Sequence, residues 1–322
     1  MSASPVAAAA GASREARQFG VALALLLAAI VVAPFVAYPF FVMQALCFAL
    51  FACAFNLLIG YVGLLSFGHA MFLGVASYAC AHAAKAWGVD PVAAILFGVA
   101  CSATLGFVVG ALSIRSQGIY FAMITVAFSQ MIDFFCVEAP FTHGEDGIQG
   151  VPQGRALGLI DLGRPAVLYV FVAAIFLFGF LTVYRAVNSP FGEILKAIRE
   201  NEPRAISLGY RVQRYKLVAF VLSAALAGLA GATKAIVAQD ASLTDVSFAM
   251  SGEVVLMTLL GGMGTMFGPA VGAIVVVSMQ NYLAQYGQWV TVIQGAVFVA
   301  CVLAFRRGVV GEIARALKWT GL

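Results

Sequence analysis

Charge is scarce in this sequence. The 322 residues include 18 Lys+Arg and 14 Asp+Glu, so 10% of the chain is charged and 63% is hydrophobic. Soluble domains carry about 25% charged residues. A chain this poor in charge cannot cover its apolar side chains with a water-compatible surface. That excludes a soluble enzyme, a nucleic-acid-binding domain and a disordered chain. Lipid is the solvent that fits.

Other absences narrow the function. No lysine follows a glycine. A P-loop needs that pair, because glycine amides and the lysine cradle the phosphates together. If ATP drives this protein, another chain binds it. The six cysteines (Cys47, Cys53, Cys80, Cys101, Cys136 and Cys301) lie in or beside apolar runs and form no C-x-x-C. They read as small buried hydrophobes, not as metal or redox pairs. No carboxylate falls in the middle of an apolar run. Asp133, Glu138, Lys234 and Glu253 lie near span ends, where they are expected at the water interface or snorkelling towards it. This weighs against a proton- or sodium-coupled carrier, although backbone carbonyls also bind Na⁺. A membrane-embedded enzyme would need His, Asp, Glu or Cys converging at depth, and the sequence offers no such set.

Long apolar runs are what is present. Residues 18–84 and 254–305 contain no charged residue, 67 and 52 positions respectively. A spanning helix needs about 20 residues. Seven spans are expected at 19–38, 40–60, 64–84, 91–114, 118–137, 165–184 and 217–238. The first two are split at Tyr38-Pro39, and the third is broken by glycines. Residues 1–12 are small and weakly polar and are expected to lack structure. Arg14 and Arg17 precede the run 21–37, which is longer than a signal-peptide core. It reads as an uncleaved first helix with its basic flank in the cytoplasm.

Alternating from that start places Arg115 inside and the loop 138–164 outside. The loop 185–216 falls inside with Arg185, Lys196, Arg199, Arg204, Arg211, Arg214 and Lys216. A cytoplasmic tail over 306–322 adds Arg306, Arg307, Arg315 and Lys318. With Arg14, Arg17 and Arg115, 14 of the 18 basic residues share one side, as the positive-inside rule requires. Both termini are then cytoplasmic, with a tail at 1–18 and a permease domain at 19–305. Residues 254–305 must cross an odd number of times. Three short crossings give ten spans, and one crossing with a re-entrant pair gives eight. The fold class is thus an all-α polytopic membrane protein of 8–10 transmembrane helices with Gly/Pro-broken segments.

Two breaks resemble each other. Phe67-Gly68-His69-Ala70 recurs as Phe267-Gly268-Pro269-Ala270. Broken helices in corresponding positions of two halves point to a transporter's substrate site, although three matches among abundant residue types also arise by chance. The run from Asn56 to Ala70 is the densest polar and glycine cluster at membrane depth. Asn56, Ser66 and His69 are candidates to hydrogen-bond a polar solute, and such small and polar residues also serve helix packing. His69 taken alone fits a satisfied core histidine better than a ligand. Gly106-x-x-x-Gly110 and Gly264-x-x-x-Gly268 are spacings that let helices pack closely. The external run 141–152 holds His143, Glu145 and Asp146, in a spacing that matches no standard metal site. It reads as a docking or gating loop.

The internal loop is the sharpest feature. Ser189 is placed to cap a helix opened by Pro190, and Ile194 to Glu202 is amphipathic. Pro203 starts a second short helix, which Gly209 ends in a left-handed stop. Two basic amphipathic helices on the cytoplasmic face suit a protein partner.

These residues closely resemble the LivM-type permease subunits of branched-chain amino acid ABC importers. The resemblance rests first on Pro190-Phe191-Gly192-Glu193-Ile194-Leu195-Lys196-Ala197-Ile198-Arg199-Glu200-Asn201-Glu202 and on Arg214 to Ala224. Asn56-Leu57-Leu58-Ile59-Gly60-Tyr61 with Gly63, Leu65-Ser66 and Gly68-His69-Ala70 adds to it. So do Gly118 to Ala122, Gly144 to Pro152, and Leu260-Gly261-Gly262-Met263-Gly264-Thr265 with Gly268-Pro269 and Gly272-Ala273. Urea permeases and importers of small organic or aromatic acids look similar.

The resemblance implies alternating access in a bacterial inner membrane. It implies a LivH-like second permease, two cytoplasmic ATPase subunits and a periplasmic substrate-binding protein as partners. The chain itself is expected to be non-catalytic and to need no cofactor, with ATP and magnesium used by the partner subunits. The translocation pathway is assigned to Asn56, Ser66, Gly68, His69, Tyr120, Thr125, Gly264 and Thr265. ATPase coupling is assigned to Gly192, Glu193, Arg199, Glu202, Ala205 and Gly209. The family's coupling loop often reads E-A-A-x-x-x-G. Here Pro203-Arg204-Ala205-Ile206-Ser207-Leu208-Gly209 keeps only the last Ala and the Gly.

Overall fold

A computed structural model of the chain describes residues 5–156, 158, 160–287, 289–304 and 308–316. Arg306, Arg307 and Lys318 of the expected basic tail lie outside the described residues.

Proline sets many of the helix starts. Pro39 opens α2 (Pro39–Asn56), Pro91 opens α4 (Pro91–Ser113), Pro165 opens α6 (Pro165–Val187) and Pro190 opens α7 (Pro190–Glu200). Each sits in the first turn, where a missing N–H costs no hydrogen bond. Asp90 caps α4, its carboxylate accepting from Val92 N at 2.9 Å. The other long helices are α1 (Pro5–Val36), α3 (Ala70–Ala86), α5 (Ile119–Glu138) and α9 (Val212–Ala238). α8 (Glu202–Ser207) is short, and α10 (Phe248–Gly261), α11 (Gly268–Leu283), α12 (Trp289–Ala304) and α13 (Gly308–Ala316) complete the chain. α1 corrects one expectation. Its alanine-rich start is helical from Pro5, as the high helix propensity of alanine favours.

Five helices are long and apolar enough to cross a membrane: Pro39–Val62, Pro91–Ser113, Ile119–Glu138, Pro165–Val187 and Val212–Ala238. Gly20–Val36, Phe248–Gly261 and Val292–Cys301 are shorter apolar helices. The chain is an all-α, multi-pass membrane protein. The stretch 254–305 holds most of α10, with α11 and α12, three helical pieces that both the ten-span and the eight-span arrangement contain. α10 and α11 run antiparallel, because Gly261 abuts Gly268 while Gly272 abuts Met257.

α2 is the central pillar. From Ala45 to Asn56 every residue is buried, and it packs against α6, α9, α10 and α11. A helix apolar on all sides belongs inside a bundle. Around it, lipid gives helices no hydrophobic reason to associate, so close approach through small residues matters. Antiparallel α4 and α9 show how. Gly98, Gly106 and Gly110 face Ala232, Ala224 and Leu217–Phe220 in turn, and Ser102 Oγ donates to Ala224 O at 2.8 Å between them. On the third side Gly231 lies against the backbone of Leu73 in α3.

The bundle has two distinct ends, about 40 Å apart along the 27 residues of α9. At one end β1 (Ile148–Gln149) pairs antiparallel with β4 (Asp240–Ala241), with Ile148 opposite Ala241. Lys85, at the last turn of α3, donates to Gln149 O there at 2.6 Å. β2 (Arg155–Ala156) and β3 (Ile160–Asp161) form a second small ribbon in the same loop. At the other end lie α7, α8 and the start of α13, whose Gly308 abuts Gly262. The loops 138–164 and 185–216 therefore occupy opposite ends, as the charge pattern predicts.

Candidate functional site

The two sequence breaks meet in space. After Asn56 the helix widens to a π-turn over Leu57–Val62 and ends at Gly63, whose φ is 80°. Residues 63–66 are irregular and 67–69 form a turn before α3 starts. The second break, residues 262–267, separates α10 from α11. Asn56, 1% exposed, joins the two. Its Nδ2 donates to Thr265 O and its Oδ1 accepts from Gly264 N, both at 2.9 Å. Each bond adds about 1 kcal/mol net, and leaving its buried partner unpaired costs more. Thr265 also closes its own turn. Its Oγ1 donates to Gly262 O at 2.8 Å and accepts from Gly268 N, the first N–H of α11, at 3.2 Å.

Both copies of the short repeat start a helix, α3 from Ala70 and α11 from Gly268. The first turn of α3 gains a distant partner: Ala70 N donates to Ser251 Oγ of α10 at 3.0 Å. This satisfies one of the N–H groups that a helix start leaves open. Sequence reading missed Ser251, since nothing near it signals a bond 181 positions away.

His69 is fully buried among the rings of Phe51, Phe55 and Phe72, with centroids 5.2–5.8 Å from its own. Its Nε2 lies 3.1 Å from Ser223 Oγ. The Ser223 hydroxyl donates its single proton to Ala54 O, so the imidazole is the donor to Ser223. It is buried in the core as expected, but among the described residues only one of its two ring nitrogens is paired, so it is not the satisfied histidine expected of it alone. Its Nδ1 and the buried hydroxyls of Ser66 and Ser129 have no hydrogen-bond partner among the described residues.

Gly68 brings the first break onto α5. A Cβ there would collide with Thr125 O and stand 3.2 Å from Ser129 Cβ. Thr125 is buried, its hydroxyl donating to Ala122 O at 2.7 Å. Of the residues assigned to the pathway, Asn56, Gly264 and Thr265 form one contact group. Gly68 and Thr125 form a second, with Ser66 and His69 alongside in the chain. Tyr120 joins neither, being 71% exposed on the outer face of α5.

The internal loop folds as expected, with two local differences. Ser189 stands at the N-cap position of α7, but its hydroxyl donates to Ala186 O at 2.7 Å instead. Asn201 is the true cap, of α8, accepting from Arg204 N at 3.1 Å. Gly209 is left-handed at φ 87°. Gly192 lies tight against Val187 O, a position closed to any side chain. Glu193 pairs with Lys196 on the surface at 2.8 Å. Glu202 holds the buried Lys216 of α9 at 2.8 Å. Ala205 packs with Ile198 and Val212 in a small core of its own. Arg199 leaves the loop altogether: its Nη1 donates to Gly60 O inside the first break. Ile206 and Leu208 are left exposed, at 56% and 69%.

Lys234 corrects another expectation. It is buried, and its Nζ lies 2.8 Å from both carboxylate oxygens of Asp245. Ser77 Oγ donates to the same carboxylate at 3.3 Å, and Asp240 stands 3.5 Å from Nζ. The pair ties α9 and α3 to the segment that leads into α10. Its sign in the sequence was faint, because Asp245 follows the span and reads as a loop residue. Among the described residues no group of three or more His, Cys, Asp or Glu is placed to hold a metal ion.

Comparison with known proteins gives a consistent picture. A family model described as "Branched-chain amino acid transport system / permease component" matches residues 37–303. The high-affinity branched-chain amino acid transport system permease protein LivM of Escherichia coli K12 is 26% identical over 305 residues, covering 83% of this chain and 70% of that protein. LivM of Salmonella typhimurium LT2 is 26% identical over 315 residues, covering 86% and 72%. The ribose import permease protein RbsC of Bacillus subtilis 168 is 28% identical over 230 residues, covering 68% and 70%. No solved structure matches.

Proposed function

This chain belongs to the family of permease components of branched-chain amino acid transport systems, and we propose that it is one membrane subunit of an ATP-binding-cassette importer in a bacterial inner membrane. Its cargo is a branched-chain amino acid, moved into the cytoplasm by alternating access. The observation that carries this reading is the α7–α8 pair. It shows exposed Ile206 and Leu208 to water, on a loop with seven basic residues, and it reaches a broken segment of the bundle through Arg199.

A chain without its own nucleotide site has no internal energy source. The state change must come from partners that bind its two states differently. Two ATPase subunits dock on α7 and α8 and use ATP with magnesium. A LivH-like permease completes the pathway, and a periplasmic binding protein delivers the cargo to the end that carries β1 and β4. Both chain termini lie with α7 and α8 in the cytoplasm. The buried, unpaired Ser66, Ser129 and His69 atoms beside Gly68 suit a path for a polar solute, because buried polar groups ordinarily have partners. The similarity to a ribose import permease supports a second reading of the cargo, another small polar solute such as urea or a small organic acid.

The test is uptake of labelled leucine in cells that lack only this gene, compared with the parent and with an uncoupler. Uptake lost in the mutant, and kept in the parent when the proton gradient is collapsed at constant ATP, is the expected result. Unchanged leucine uptake would move the cargo to the second reading. Parent uptake that collapses with the uncoupler at constant ATP would refute the importer.

A further inference from the structure

We propose that Arg199 is a positioning residue that bolts the two breaks together, and that the coupling helices open the bundle by withdrawing it. The inference rests on the functional reading above and names the device within it.

Gly60 O lies in the last turn before the helix ends at Gly63, where carbonyls lose their intrahelical partners. Arg199 supplies the missing donor from another element, and its positive charge suits a helix C-terminus. The Arg199 side chain passes two left-handed glycines, one from each break, its aliphatic stem against Gly63 and its guanidinium against Gly264. A Cβ on Gly63 would stand 3.1 Å from Arg199 Cγ, and one on Gly264 would stand 3.3 Å from Nη1. Gly63 has φ 80° and Gly264 has φ 76°, so both are positions where a side chain is strained as well as obstructive. Asn56 holds the same two segments from the buried side, through Gly264 and Thr265.

The mechanical path to Arg199 is short. A partner that grips exposed Ile206 moves α8. Ala205 of α8 shares a small core with Ile198 of α7, and Ile198 is the residue before Arg199. A shift of α8 is therefore carried to Arg199 by packed side chains, and from there to both breaks at once. Arginine suits the place because its donors are fixed in a plane, whereas a lysine presents one flexible point of charge.

The test uses the full complex in proteoliposomes, with labelled leucine on its binding protein as the probe. R199Q is expected to assemble and hydrolyse ATP while leucine moved per ATP falls about tenfold, within the usual range of coupling between sites. R199K should recover part of that loss. A parallel fall of hydrolysis and uptake, with their ratio unchanged, would overturn the proposal in favour of a purely structural cap. A second measurement does not depend on that variant folding. Spin labels are placed at A197C on α7 and M263C in the second break, both exposed positions, with Cys101 and Cys301 replaced. In the parent Arg199 background the label distance should lengthen when ATP binds, and an unchanged distance would overturn the bolt. A parent complex with neither ATP hydrolysis nor leucine uptake would instead overturn the functional reading beneath it.

Discussion

Removing the Asp245 carboxylate tests the energetics of the bundle most directly. In D245N the Lys234 ammonium loses the carboxylate charge and keeps at most one of its two 2.8 Å oxygen contacts, an amide NH2 replacing the other oxygen. The two side chains are 9% and 1% exposed, so water cannot replace what is lost. Breaking a buried pair from one side typically costs about 3–5 kcal/mol, because a charge is left uncompensated. Asp240 stays 3.5 Å from the ammonium but is 42% exposed, and it recovers little. We therefore expect D245N near the lower end, about 3 kcal/mol. K234M leaves Asp245 with only the Ser77 hydroxyl and should cost as much or more. The double variant K234M/D245N removes both charges together and leaves no uncompensated buried ion, so it should cost clearly less than the sum of the singles. The assay is reversible unfolding by SDS in mixed micelles, followed by circular dichroism, as a double-mutant cycle. A D245N cost below about 1 kcal/mol, or a double variant no better than the sum of the singles, would refute the reasoning.

Four further outcomes follow from the same geometry. N56A should lose about 2–3 kcal/mol in the same unfolding assay, because two bonds vanish and the amide of Gly264 is left buried without its acceptor. G68A should destabilise by about 1–3 kcal/mol, since its methyl meets Thr125 O. G252A, with nothing within 4 Å of its Cβ, should be neutral or stabilising by up to about 1 kcal/mol from helix propensity. I206D/L208D should abolish capture of the ATPase subunits by the tagged chain and leave its unfolding midpoint unchanged, because both side chains are exposed.

Most of the fold was legible because membrane spans are written in one dimension. The helix starts at Pro39, Pro91, Pro165 and Pro190 follow from proline's fixed geometry, and charge-free length marks each pass. The coupling loop was legible for the same local reason, down to the stop at Gly209. Long-range pairing was not. Ser251, Asp245 and Gly60 carry no sequence sign of their contacts with Ala70, Ser77 and Arg199, which lie 139–181 positions away. Three of the candidate residues meet in space. Asn56, Gly264 and Thr265 converge because polar groups in a glycine-rich break must find partners inside the protein. Tyr120, picked from a matched segment, lies exposed on the outer face of α5. A motif match fixes a position along the chain but not the side of the helix it occupies.

The Asn56 clasp also sets an order of events during synthesis. Gly264 is made 208 residues after Asn56. At 5–20 residues per second, α2 waits on the order of 10–40 s for that partner. Arg199 arrives earlier, 139 residues after Gly60. The growing chain thus closes the helix end before it satisfies the asparagine. A nascent fragment that stops short of residue 264 carries an unpaired amide side chain within its most buried helix. The asparagine is satisfied only when the second break is in place.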